Sequence, residues 1–118
     1  MNHRKKRNRR IDADLLEAEF FDELGYQEID QLYDKVIELF DNKSYKTFYK
    51  PDFVKLVKLI AHQCSYQAEA EHDIRESNIH YKKMKRLSEI GLQLSKKDEE
   101  LLHNLKIVKR VFEERIYS

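Results

Sequence analysis

Two Glu-x-x-His spacings, Glu69 with His72 and Glu100 with His103, are the places where this chain most resembles a chemical site. On one helix face that spacing sets a carboxylate beside an imidazole. In a four-helix bundle, two such pairs plus one Glu from each of two other helices hold a di-iron or di-manganese centre. Two features argue against it here. Glu100 and His103 fall off the apolar stripe of Leu101, Leu105 and Val108, and no inward Glu marks the two helices that precede the first pair. The reading is therefore of solvated helix faces, with no metal and no cofactor. The only two glycines, Gly25 and Gly91, are far apart, so no Gly-rich phosphate loop exists. Cys64 sits on an apolar stripe, where a free cysteine is inert packing, and His62 and His80 stand singly. Nothing in these groups argues for an enzyme.

The cations make the stronger pattern. Residues 1–10 carry Arg4, Lys5, Lys6, Arg7, Arg9 and Arg10 and no acid; residues 11–77 hold 7 Lys/Arg against 16 Asp/Glu; residues 78–118 hold 10 against 6. The net charge of +1 thus conceals a segregated field. A cationic arm meeting phosphates releases condensed counterions and gains affinity without reading sequence. It is too polar to bury itself, and is expected to stay disordered until a polyanion arrives. Lys82, Lys83, Lys85 and Arg86 form a second basic cluster and a second candidate DNA contact. Lys106, Lys109 and Arg110 share a helix face, diluted by Glu113 and Glu114, and read as solvated. The acidic middle suits packing between copies of opposite local charge.

The elements that must position these groups are helical. With 2 Gly, 1 Pro and 38% charged residues, the chain has little turn chemistry for a sheet, and its length suits one core. The expected fold is all-α: a small helical domain of four to five helices with a long central helix and a helical hairpin. Residues 1–10 are the arm and residues 11–118 a single helical domain. Asp12 or Asp14 caps a first helix carrying Leu15, Leu16, Phe20, Phe21 and Leu24, which Gly25 stops. A second starts near Glu28, with Ile29, Leu32, Val36 and Phe40 at spacings of three and four, and closes at Asp41, Asn42 and Ser44. Residues 44–50 read as a loop pinned by Tyr45, Phe48 and Tyr49.

Pro51 and Asp52 open the long helix, whose stripe is Phe53, Leu56, Val57, Ile60, Cys64, Ala68 and Ile74. Residues 78–91 either continue it into a hairpin or form a further helix ending at Gly91. Ser95, ahead of Asp98 and Glu99, gives a cap-like start to the last helix, with Leu101, Leu105, Val108, Phe112 and Ile116 on its stripe. No internal repeat stands out. The one cysteine forms no intramolecular disulfide, and no apolar run reaches membrane-span length. The expectation is a soluble intracellular protein without a membrane partner.

At the long helix the pattern resembles the central helix of tailed-phage terminase small subunits. The residues concerned are Asp52 and Phe53 at its start, Leu56 and Ile60 on the core face, then Tyr66, Ala68, Glu69, Ala70 and Ile74. The short amphipathic helix around Tyr33 to Phe40, the basic leader and the terminal helix from Leu101 to Ile116 fit the same family. The lysine-rich stretch Lys82 to Arg86 departs from the connector common there. The resemblance implies a non-enzymatic DNA-packaging subunit in the cytoplasm of a bacterial host, binding double-stranded DNA and presenting it to the terminase large subunit. It also implies a homo-oligomeric ring, with Leu105, Val108, Phe112 and Ile116 as oligomerisation residues. The alternatives are a small helical DNA-binding transcriptional regulator, or a protein-interaction bundle without nucleic acid.

Overall fold

The structure, a computed structural model, describes residues 29–116; the basic arm and the helix expected over residues 11–24 lie outside the described residues. The all-α expectation holds. Four helices follow one another, α1 (Ile29–Asp41), α2 (Lys50–Ala70), α3 (Ile74–Leu94) and α4 (Glu99–Ile116), with a 3-10 turn at Ser44–Thr47 and no strand among the described residues. None of these helices is long and apolar enough to cross a membrane. The chain divides into two compact units, Met1–Leu56 and Val57–Ser118, with the boundary inside α2.

In the first unit, α1 buries Ile29, Leu32 and Val36 and exposes Asp30, Asp34, Glu38 and Asp41, the two stripes that a period of 3.6 residues creates. The helix stops where expected. Lys43 adopts the left-handed region at φ 64°, and the Asn42 side chain accepts the Ser44 N–H at 2.8 Å. The aromatic loop is a 3-10 turn whose Thr47 hydroxyl donates to the Ser44 carbonyl at 2.8 Å. Rings pin it: Phe40 stacks on Tyr45 at 5.3 Å between centroids, and Tyr45 and Phe48 both meet the fully buried Phe53, at 5.6 and 6.4 Å.

In the second unit, α2 contributes Val57, Ile60, Ala61, Cys64 and Ala68 to the buried core. The long helix was expected to reach Ile74, but α2 ends at Ala70, and Ile74 is 57% exposed on the first turn of α3. Side-chain hydrogen bonds decide the break. Asp73 is the N-cap of α3 and accepts the Arg75 N–H at 2.8 Å. The buried Ser77 hydroxyl donates to the Ala68 carbonyl at 2.7 Å, satisfying an acceptor that the end of α2 leaves without a helical partner. Of the two readings for residues 78–91, the further helix is the one found: they form the body of α3, which begins four residues earlier, at Ile74.

Nor does Gly91 terminate that helix, which runs on to Leu94. Its role is close approach. A Cβ at Gly91 would stand 2.5 Å from Cδ1 and 3.3 Å from Cδ2 of Leu101, a side chain with no exposed surface. Ser95 closes α3, its N–H bonding to the Gly91 carbonyl at 2.7 Å, so the cap expected at Ser95 falls instead on Asp98, which accepts the Leu101 N–H at 3.1 Å. Asp98 also receives Lys58 of α2 at 2.9 Å, and Glu100 lies 3.3 Å from the same ammonium.

Burial pushes the Asp98 carboxyl up, but the Lys58 bond, the Leu101 amide and the lysine's charge together hold it below the ordinary carboxylate value. For Lys58, burial pulls down while bonds to Asp98 and Glu100 prevail and raise it. Asp98 therefore stabilises the fold fully above its unfolded pKa of about 3.9, and that contribution is lost as pH falls through the lower folded value. The Lys58 contribution is complete below the ordinary lysine range and disappears only as pH rises through its raised value. Asp98→Ala should cost about 1–2 kcal/mol at neutral pH, and the gap to the parent in denaturant titrations should close in acid below the carboxylate range. At Gly91 a helix-propensity gain of about 1 kcal/mol opposes an overpacking cost of about 1–3 kcal/mol. Because Leu101 is fully buried and must give way within the core, Gly91→Ala should lower the melting temperature; a rise would mean that Leu101 repacks without strain.

Candidate nucleic-acid interface

Helices α3 and α4 form the most closely packed antiparallel pair among the described elements. Small residues let them approach: Gly91 faces Leu101, and Ser88, fully buried, accepts a hydrogen bond from Asn104 at 3.3 Å. At the other end Phe112 meets Tyr81 edge-on at 6.5 Å, while the Arg115 guanidinium lies 5.2 Å over the Tyr81 ring and donates to the Asn78 side-chain oxygen. Burial, then the Glu69 charge, raise the Tyr81 phenol above its usual value, with Arg115 pulling the other way. These pairs fix the register. Met84 and Val108, each 1% exposed, fall opposite one another near the middle.

The same register brings two like-patterned stretches of α3 and α4 side by side. Lys82-x-x-Lys85-Arg86-x-x-Glu89 on α3 recurs as Lys106-x-x-Lys109-Arg110-x-x-Glu113 on α4. Met84 and Val108 occupy the same place in the two copies and pack at the same level, so the antiparallel pairing relates the copies by a local twofold axis. Arg86 is then level with Lys106, Lys82 with Arg110, and Lys109 with Lys83. Because side chains three apart share a flank of a helix, Lys82 and Lys85 lie on one flank of α3, and Lys106 and Lys109 on the matching flank of α4. Lys82, Lys85, Lys106, Lys109 and Arg110 are exposed, and their side chains make no ion pair or hydrogen bond among the described residues. Glu89 and Glu113 stand one helical turn beyond each lysine pair and reduce the local charge without cancelling it.

Of the four DNA-contact residues expected on this helix, Lys82 and Lys85 present their charges to solvent. Lys83 and Arg86 are half-buried and already interact within the chain. Lys106 and Lys109, set aside in the sequence as a solvated face, complete the platform from the second helix. Arg4, Lys5, Lys6, Arg7, Arg9 and Arg10 lie outside the described residues. No family model, curated protein or solved structure matches this chain. What the platform does must be judged on its own geometry and charge.

The two Glu-x-x-His spacings part company in the fold. Glu69 ends α2 while His72 falls in the break before α3, so that pair shares no helix face; Glu100 and His103 are both exposed, with Glu100 turned to Lys58. Among the described residues no group of three or more His, Cys, Asp or Glu side chains comes together. Cys64 is fully buried and free, and His62 meets the Tyr66 ring edge-on at 4.7 Å.

The residues expected to join copies divide as well. Val108 is buried in the hairpin core, Leu105 and Phe112 are half-buried, and Ile116 is 74% exposed. Val108 therefore holds α4 to α3, and any contact between copies through this helix has Ile116 and the 43% exposed Leu102 to offer. Phe112→Ala should destabilise the chain by about 2–4 kcal/mol in urea titration, whereas Ile116→Ser should leave folding stability within about 0.5 kcal/mol. A neutral Phe112→Ala would show that its ring is not anchored on Tyr81.

Proposed function

We propose that this chain is a non-enzymatic DNA-binding subunit of the kind that its sequence resembles, the terminase small subunit, which holds viral DNA and presents it to the large packaging subunit. The observation that carries the reading is the twofold-related pair of Lys-x-x-Lys-Arg patterns, four exposed lysines fixed on a rigid hairpin. Duplex DNA is a double row of phosphates whose two strands are themselves related by local twofold axes. A cationic platform with its own twofold meets both strands in equivalent ways, which favours double-stranded over single-stranded DNA as the ligand.

Phosphate contacts fix register and orientation but read no bases. The six cations of residues 4–10 add a second, sequence-independent set of phosphate contacts. Each copy then binds modestly, and several copies in a ring multiply the effective concentration of cations along the duplex. Ile116 and Leu102 are the apolar groups of α4 that would support such an assembly.

Replacing Lys82, Lys85, Lys106 and Lys109 together by Gln should weaken duplex binding alike at every sequence. Each phosphate contact removed should reduce the slope of log K against log salt by about 0.9. Fluorescence anisotropy on unrelated duplexes, across a salt series, measures both quantities. An unchanged slope, with the variant folded, would remove the hairpin from DNA binding. Protection of two half-sites on one palindrome by a dimer would favour the transcriptional regulator instead.

A further inference from the structure

Residues 42–51, between α1 and the body of α2, contain three lysines and no carboxylate: Lys43, Lys46 and Lys50. All three are exposed, and their side chains make no ion pair or hydrogen bond among the described residues. They are spaced three and four apart around a turn of only a few residues, with Asp41 and Asp52 just outside it.

The turn is held from beneath. Phe40, Tyr45, Phe48 and Phe53 form a continuous ring stack, with Phe53 fully buried at its base. The side chains of Asn42 and Thr47 both bond to the backbone of Ser44, the first accepting its N–H and the second donating to its carbonyl. The lysine Cα positions are therefore set before any ligand binds, and only the side chains lose freedom on binding, which lowers the entropic cost of the contact. Tyr49, 43% exposed, stands between Lys46 and Lys50. Basic groups interleaved with aromatics on a pinned turn are the composition of a nucleic-acid contact.

We propose that Lys43, Lys46 and Lys50 form a second phosphodiester-binding surface, separate in sequence from the arm and borne by other elements than the hairpin platform. The proposal rests on the reading of this protein as a DNA-binding subunit and extends it to a third group of cations. It adds up to three phosphate contacts to a copy's footprint.

The test compares the full chain with a variant carrying Lys43→Asn, Lys46→Gln and Lys50→Gln, Asn being chosen because it tolerates the left-handed backbone at position 43. A control of equal charge carries Lys35→Gln, Lys55→Gln and Lys97→Gln, three exposed lysines elsewhere. Melting curves confirm that both are folded, and anisotropy with a labelled duplex and with labelled oligo(dT) is followed across a salt series. The turn variant should bind the duplex about 30- to 100-fold more weakly at moderate salt, with the salt slope reduced by about 2 to 3, while the control changes little. Equal losses in turn variant and control would reduce the effect to net charge and overturn the site. Parent-like binding by the turn variant would overturn it too, yet leave the DNA-binding reading intact provided that the hairpin variant is weakened. A parent that binds neither the duplex nor oligo(dT) would sink both. A loss confined to oligo(dT) would overturn the duplex footprint assigned to these lysines.

Discussion

The close approach of α3 and α4 is the constraint on which the second unit depends. Two helices can come this near only where side chains on the facing stripe are small, and Gly91 and Ser88 supply that at adjacent turns. With those positions fixed, Leu101 has one place to go, Met84 meets Val108, and Tyr81 receives Phe112 and Arg115. A shift of one residue along either helix would set Leu101 against a Cβ and separate the Ser88 and Asn104 side chains. The register is therefore specified by shape as well as by apolar burial, and the placing of every surface lysine on the hairpin follows from it.

Polar groups then decide where the helices begin and end. Ser77, Asp73 and Asp98 each bond to backbone groups that a helix terminus leaves without partners. Asp98 serves twice, capping α4 and accepting Lys58, so that the start of α4 is tied to α2 by a bond sheltered from solvent on the carboxylate side. An exposed pair of this kind contributes little, since solvent screens it. Here the cap geometry and the partial burial of Asp98 make the interaction count, and its charge state couples the fold to acid pH.

Charge is distributed with the same economy of elements. The outward stripe of α1 is acidic, the turn that follows it is basic, and the hairpin carries its lysines in two equivalent sets. The first unit holds its turn by stacked rings, the second its platform by helix packing. In both cases the cations stand on backbone that is ordered for other reasons. Ordered cations are suited to positioning a polyanion.

From the sequence, the all-α class followed directly, because scarce Gly and Pro with apolar residues at spacings of three and four leave helices as the way to bury a stripe. The end of α1 at Asp41, the loop pinned by aromatics and the start of α4 near Asp98 and Glu99 were equally legible, since local chemistry fixes each of them. The break at residues 71–73 was not, because it turns on Ser77 reaching the Ala68 carbonyl, a bond between residues nine apart whose geometry exists only once α2 and α3 have diverged. Gly91 read as a stop signal because local propensity makes no distinction between a glycine that ends a helix and one that admits a neighbour. The same limit applies to function. The cations were visible as charge, but that Lys82 and Lys85 share a platform with Lys106 and Lys109 was decided by the antiparallel register. Pairing between distant segments depends on how side chains fit in three dimensions, and no periodicity along one helix encodes its partner's position.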